Sequence, residues 1–301
     1  MAEKTERLTL SGPIDALTPM ELRNGRWYKM DSDLRYSNGV NGKTRTSLFL
    51  GRLAAERGAS ALVYGGSVHA PALGRVASAA NYLGLDSHIF IGSDPAKAVR
   101  HDAVRVAVEA GAQLHRSPIA FNPGLQKRAK DLAEGSGGEI FQVPYGVSAA
   151  DEWSDDLIRE FLEQDADQVL NVTAEPEIRH LAIAFGSGNA TAGMLYGLAT
   201  RGTGALETVK LIGVGPDKRD WLDRRLGRVG IDLVDIDVDI EYIPLHPHFA
   251  EYTDRMPETA DGIDFHPLYE GKVIRFLDMM RLPWWTARDG STCLWIVGGP
   301  L

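Results

Sequence analysis

The chain of 301 residues holds a single cysteine, Cys293. One thiol excludes an intrachain disulfide and a cysteine-based metal cage. In "TCLWIVGG" it reads as a small buried hydrophobe rather than a nucleophile. Positive charge is also short: 32 lysines and arginines stand against 41 acidic residues, for a formal net charge of −9. A broad nucleic-acid surface needs a basic stripe to neutralise phosphates, so this balance argues against one and leaves room only for a local patch. No stretch approaches a membrane span, and "MAEKTERLTLSG" has no apolar core of a secretion signal, so a cytoplasmic protein is expected. Internal repeats and low-complexity segments are missing too. With 44% hydrophobic residues the chain can bury a sizeable core, and it is long for one simple domain.

What is present is alternation. Residues 1–40 read as turn-rich, with "NGRWYKMD" and "YSNGVNG" as loop punctuation. A helix is predicted from Lys43, with Leu48, Leu50, Leu53 and Ala54 on one face and Gly58 as its stop. "SALVYGG" and "SHIFIG" read as short apolar strands with the helix "ALGRVASAANYLG" between them, and two further helix-then-strand units follow. Such repetition predicts parallel sheets. The acidic stretch "SAADEWSDDLIREFLEQDADQ" reads as a solvated helix joining two lobes. "HLAIAFGSG" and "TVKLIGVG" read as strands, "GIDLVDIDVDIEYIPL" as a half-exposed strand, and "CLWIVGGPL" as a buried one.

The glycine turn "GSGNATAG" carries the first chemical signal. Gly186 and Gly188 permit tight backbone angles and close approach of a ligand, and the amides from Ser187 through Gly188, Asn189, Ala190 and Thr191 can converge on one anion at a helix start. No Gly-Lys-Ser/Thr follows, and the third glycine of a dinucleotide fingerprint is out of place, so a monophosphate-sized anion is the functional reading. The plainer reading is a strand-to-helix turn with no ligand. Lys43, after Asn-Gly, is by itself a surface turn residue. His246 and His248 form a His-Pro-His without a third ligand, so no metal site is expected. The tryptophans of "LPWWTARDG" read as core or interface packing, with base stacking the remoter alternative.

Three stretches in register, "GVNGKTRTSLFLGRL", "GSGNATAG" and "HPLYEGK", resemble the fold-type-II pyridoxal 5′-phosphate enzymes of the tryptophan synthase β-like fold. The similarity is greatest to the branch holding 1-aminocyclopropane-1-carboxylate deaminase and D-cysteine desulfhydrase. "VPYGVS" and "IVGG" are weaker echoes, and the order agrees over nearly the whole chain. The resemblance implies an α/β protein of two lobes, each a mostly parallel sheet flanked by helices. Residues 1–50 and 156–301 would form a larger cofactor-binding lobe, with 51–155 a smaller inserted lobe, the cofactor between them and a homodimer as the assembly. It also implies that Lys43 is the Schiff-base lysine and that Gly186, Ser187, Gly188, Asn189, Ala190 and Thr191 hold the cofactor phosphate. Tyr269 would act as an acid/base or nucleophilic group, and Glu270 would face the pyridine nitrogen. The alternative for Tyr269 and Glu270 is an ordinary helix N-terminal turn.

The departures from that family fall at substrate and ring contacts. After "ALVYGG" the family's Ser-Asn-His loop is replaced by "GGSVHAPALGRVASAA", in which no register supplies the asparagine. Gly42 precedes the lysine in place of asparagine, Thr46 stands where a phosphate-binding lysine is common, "IVGG" replaces "HTGG", and His266 replaces an aspartate. A kept cofactor and a changed substrate are therefore expected, with Ser67, His69 and Tyr269 as candidate substrate contacts. The first functional expectation is a lyase or deaminase acting at the α-carbon of a small amino acid. The alternatives are a decarboxylase or side-chain lyase acting on an amino acid carried by a larger molecule, including a nucleic-acid-linked one, and a non-catalytic scaffold.

Overall fold

The Asn24-Gly25 pair, read above as loop punctuation, is the turn of a hairpin. In the computed structural model, which describes residues 6–299, it joins β1 (Met20–Arg23) to β2 (Arg26–Met30), antiparallel with Arg23 opposite Arg26. Asn24 at φ 47° and Gly25 at φ 75° supply the two left-handed residues that a two-residue type I′ turn demands. The residues after it are not loop but a largely buried strand.

The chain divides into two compact units. One comprises Leu34–Asp151 with the stretch ending at Ile14, and the other comprises Asp15–Asp33 with the chain from Glu152 onward. The first contains α1 (Thr44–Glu56), β3 (Ala61–Gly65), α2 (Ala72–Leu83), β4 (Asp86–Ile91), α3 (Pro95–Ala98), α4 (Asp102–Glu109), β5 (Gln113–Arg116), α5 (Asn122–Gly135) and β6 (Ile140–Gln142). Its four strands lie in the order β5-β4-β3-β6, all parallel. Every residue of β3 is buried, which explains its unbroken apolar run, since a central parallel strand is covered on both faces. A Cβ on Gly65 would stand 2.3 Å from the Leu125 carbonyl oxygen, so the glycine is what lets α5 rest on the strand end. Leu48 of α1, Ala79 of α2 and Val106 of α4 pack with Tyr36 and Val40 in one apolar cluster.

The second unit adds α6 (Asp155–Ala166), α7 (Leu170–Thr173), β7 (His180–Phe185), α8 (Asn189–Arg201), β8 (Thr208–Gly213), α9 (Arg219–Gly227) and β9 (Asp239–Pro244). These are followed by β10 (Thr259–Ala260), β11 (Ile263–Asp264), α10 (Glu270–Met280), α11 (Pro283–Thr286) and β12 (Thr292–Ile296). Six strands run β1-β2-β12-β7-β8-β9, parallel except where β1 meets β2. The architecture is thus α/β with two mostly parallel sheets flanked by helices. Among the described residues, no helix is long and apolar enough to cross a membrane.

Two sequence expectations change here. The acidic segment is not a solvated connector: α6 buries Ile158, Phe161, Leu162, Asp165 and Ala166. Its partner α8 has glycines at the contact, where a Cβ on Gly197 would fall 2.3 Å from the Ala166 carbonyl oxygen. The apolar stripe is narrow, so the acidic outer face dominates the composition. In "GIDLVDIDVDIEYIPL" only Asp239–Pro244 pairs as a strand. Leu233–Asp235 is instead a 3₁₀ turn, because the Asp232 carboxylate accepts the Val234 N–H at 3.2 Å and takes the backbone out of any ladder.

Candidate active site

In the first unit Lys43 precedes α1 in the left-handed conformation, φ 55° and ψ 28°, directly after Gly42 at φ 69°. A non-glycine residue there costs about 1–2 kcal/mol, a strain retained where the surroundings hold the backbone. The surroundings are explicit. The buried Arg75 donates to the Asn41 carbonyl at 2.9 Å, and the Lys43 carbonyl accepts from the Ser47 N–H and the Thr46 hydroxyl. Thr46, standing where the family often has a phosphate-binding lysine, is buried, and its hydroxyl is used up on the Lys43 carbonyl at 3.1 Å. The Lys43 amine donates to the Gly146 carbonyl at 2.6 Å. That carbonyl belongs to "VPYGVS", and the Gly146 N–H in turn donates to the Tyr64 hydroxyl at 3.3 Å.

The Ser67–His69 loop leaves β3 at its carboxyl end, the edge where open parallel sheets bind ligands. Ser67 donates its N–H to Asn122 Oδ1 at 3.1 Å, and its hydroxyl accepts from the His69 N–H at 3.4 Å. Asn122 Nδ2 donates to the Tyr145 hydroxyl at 2.9 Å. His69 is exposed, its ring edge-on to His101 at 4.6 Å. Lys43, the Ser67–His69 loop, Asn122 and Tyr145 are therefore tied together along one edge of this sheet. Asn122 and Tyr145 escape sequence reasoning. The one available signal for Tyr145 is its place inside the "VPYGVS" echo.

The second unit carries the glycine turn. Gly188, φ 86°, stands before α8, and the first bond of the helix runs from the Ala192 N–H to the Gly188 carbonyl at 2.8 Å. The N–H groups of Asn189, Ala190 and Thr191 thus lie outside the helix ladder, at its positive end. Asn189 and Thr191 are buried. A Cβ on Gly186 would meet the Tyr269 ring at 3.1 Å, and one on Gly188 the Trp221 ring at 2.5 Å. The turn is bare backbone between two aromatic rings, with hydroxyls at Ser187 and Thr191. That donor set, with no room for added side chains, fits the phosphate of pyridoxal 5′-phosphate.

Tyr269 and Glu270 do open a helix, as the plainer reading expects, yet they do more than cap it. The Tyr269 hydroxyl lies 3.3 Å from that of Tyr252, and its ring 4.8 Å from that of His266. Glu270 is buried, and one carboxylate oxygen accepts from the Val297 N–H at 3.0 Å and the Gly298 N–H at 3.4 Å, so "IVGG" docks on "YEGK". His266 Nδ1 accepts the Leu268 N–H at 3.2 Å, doing in this turn what an aspartate oxygen does. Lys272, fully buried, donates to the carbonyls of Glu251 and Tyr252 at 2.6 and 2.9 Å, and desolvation lowers its pKa from the usual lysine range. Sequence reasoning missed Tyr252 and Trp221, whose roles depend on contacts far along the chain.

Burial pushes the Cys293 thiol up to about 12, which leaves it an inert core group. Trp285 is buried and donates its indole N–H to Asp278 at 2.7 Å, so this tryptophan is a packing residue. His246 pairs with Glu251 at 3.3 Å. Among the described residues no group of three or more histidine, cysteine or acidic side chains is arranged to hold a metal.

No protein-family model matches the chain. A curated relative, the O-seryl-dTMP PLP-dependent decarboxylase of Salmonella phage ViI, is 24% identical across 95% of this chain and 81% of its own length. Among solved structures, an ACC deaminase homologue superposes with a TM-score of 0.70 at 21% identity, covering 98% of this chain and 92% of that one. The diaminopropionate ammonia lyase of Escherichia coli, solved in complex with an aminoacrylate-PLP azomethine intermediate, gives 0.57 at 14% identity, covering 94% and 84%. With two mostly parallel sheets in this strand order and these structural relatives, the chain has the tryptophan synthase β-like fold of the fold-type-II pyridoxal-phosphate enzymes.

Proposed function

We propose that this chain is a pyridoxal-phosphate-dependent decarboxylase of an amino acid carried on a thymidine-type nucleotide. The observation that carries this reading is the end-to-end similarity to the O-seryl-dTMP decarboxylase. The chain's own residues support it. The loop after β3 lacks the family's asparagine, its Ser67 N–H is already bonded to Asn122, and the residues between Ser67 and α2 are Val68, His69, Ala70 and Pro71. Without the asparagine, and with the Ser67 N–H already engaged, the loop offers a bound carboxylate fewer contacts than the family's loop does, which favours its departure over its retention.

When bound, the cofactor supplies an electron sink for the carbanion left at the α-carbon. Lys43 is assigned to hold the cofactor's aldehyde carbon through its amine. The same amine would be the group placed to give a proton to the α-carbon. The amides of Ser187, Gly188, Asn189, Ala190 and Thr191, with the Ser187 and Thr191 hydroxyls, are assigned to the cofactor phosphate. Glu270, held by the amides of Val297 and Gly298, is assigned to the ring nitrogen. Tyr269, against Gly186, is assigned a proton-holding role beside the substrate.

The test is a near-visible absorption spectrum beside Lys43→Ala, before and after borohydride, followed by product analysis. A band lost in the variant and trapped on Lys43, with carbon dioxide released from nucleotide-linked serine and no ammonia, is the expected result. A second reading, a lyase or deaminase of a small free amino acid, is favoured by the intact Tyr269-Glu270-Gly271-Lys272 motif. Ammonia and a keto acid from a free amino acid would replace the first reading with this one.

A further inference from the structure

Two large aromatic rings stand exposed on loops of the first unit. Tyr145 is 56% exposed and Phe121 63% exposed, although rings of this size are mostly covered in folded proteins. Both belong to loops at the carboxyl edge of the parallel sheet of the first unit, one after β6 and one after β5. Tyr145 immediately precedes Gly146, the residue whose carbonyl accepts from the Lys43 amine at 2.6 Å. Its hydroxyl accepts from Asn122 at 2.9 Å, and Asn122 also receives the Ser67 N–H. Phe121 directly precedes Asn122 and folds back over the first turn of α5, where a Cβ on Gly124 would meet the ring edge at 3.4 Å. Each ring is therefore seated on its own loop and still open to a ligand.

We propose that Tyr145 and Phe121 form a stacking platform for the pyrimidine base of the substrate, an inference that rests on the nucleotide-linked reading above. A flat, uncharged pyrimidine offers a π-face that aromatic side chains take up without regard to hydrogen-bonding pattern. The chain's net charge of −9 gives little general attraction for phosphates, so the base must contribute to holding the nucleotide. Rings held by a hydrogen bond or by a glycine seat lose little freedom when a base settles on them. The tryptophan pair that the sequence offers as an aromatic platform does not serve, because Trp285 lies in the core of the second unit.

The purified enzyme is titrated calorimetrically with thymidine 5′-monophosphate, with a short single-stranded oligothymidylate, and with 2-deoxyribose 5-phosphate as the probe lacking a base. At least one thymidine probe should bind and the sugar phosphate should bind far more weakly. Tyr145→Leu and Phe121→Leu should each weaken thymidine binding about tenfold. Tyr145→Phe keeps the ring without the Asn122 bond and should retain most of the affinity. Loss confined to the free nucleotide or to the oligonucleotide supports the platform and identifies which form the enzyme takes. Thymidine binding that is equal in wild type and both leucine variants, with unchanged melting curves, overturns the platform and leaves the nucleotide reading intact. Failure of the wild type to bind either thymidine probe overturns both.

Discussion

Adding one methyl group at Gly188 tests whether the glycine turn is the anion cradle that its geometry suggests. Alanine at φ 86° costs about 1–2 kcal/mol, offset by about 0.4–1 kcal/mol because the unfolded chain is stiffened. The net penalty from conformation alone is about 1 kcal/mol. Gly58, at φ 81° with nothing within 4 Å of an added Cβ, provides that term by itself. At Gly188 the new Cβ also falls 2.5 Å from the Trp221 ring, where ordinary contact begins at 3.4 Å. Relieving such an overlap costs about 1–3 kcal/mol more, through movement of the ring or of the start of α8. In a protein of this size each kcal/mol lowers the melting temperature by about 2–4 °C. Gly188→Ala should therefore melt at least ~2 °C below Gly58→Ala, and its affinity for pyridoxal 5′-phosphate should fall while that of Gly58→Ala is kept. Combining Gly188→Ala with Trp221→Leu should recover the steric part, as a double-mutant cycle would reveal. Equal melting of the two alanine variants would refute the reasoning, since the Trp221 contact would then cost nothing.

Glu270→Ala removes the acceptor of the Val297 and Gly298 N–H groups and should destabilise by about 1–3 kcal/mol in urea melts. Glu270→Gln keeps an oxygen there and should lose less than about 1 kcal/mol; a larger loss would mean that the charge, rather than the acceptor, holds "IVGG". Lys272 carries a pH signature. Its folded-state pKa is lowered from 10.5 by desolvation, so between that lowered value and 10.5 the unfolded chain binds more protons than the folded one. Its contribution to stability should rise as the pH climbs through that window. The difference between wild type and Lys272→Met, followed by melting at several alkaline pH values, should show this slope, and a flat difference would contradict it.

Much of this protein could be read along the chain. Short apolar runs ending in glycine marked β3, β4, β7 and β8, and the helix from Lys43 starts where expected, because periodicity and glycine punctuation act over a few residues. The glycine turn between β7 and α8 was legible for the same reason. The tertiary structure alone decided which face of α6 is buried, since that depends on the glycines of α8 rather than on its own acidic composition. It alone joined Asn122 to Ser67 across 55 residues, set Trp221 over Gly188, and tied Glu270 to the Val297 amide 27 residues on. Local sequence sets backbone propensity within a turn or two, whereas these contacts exist only after strands far apart in the chain have paired and brought their carboxyl ends to one edge.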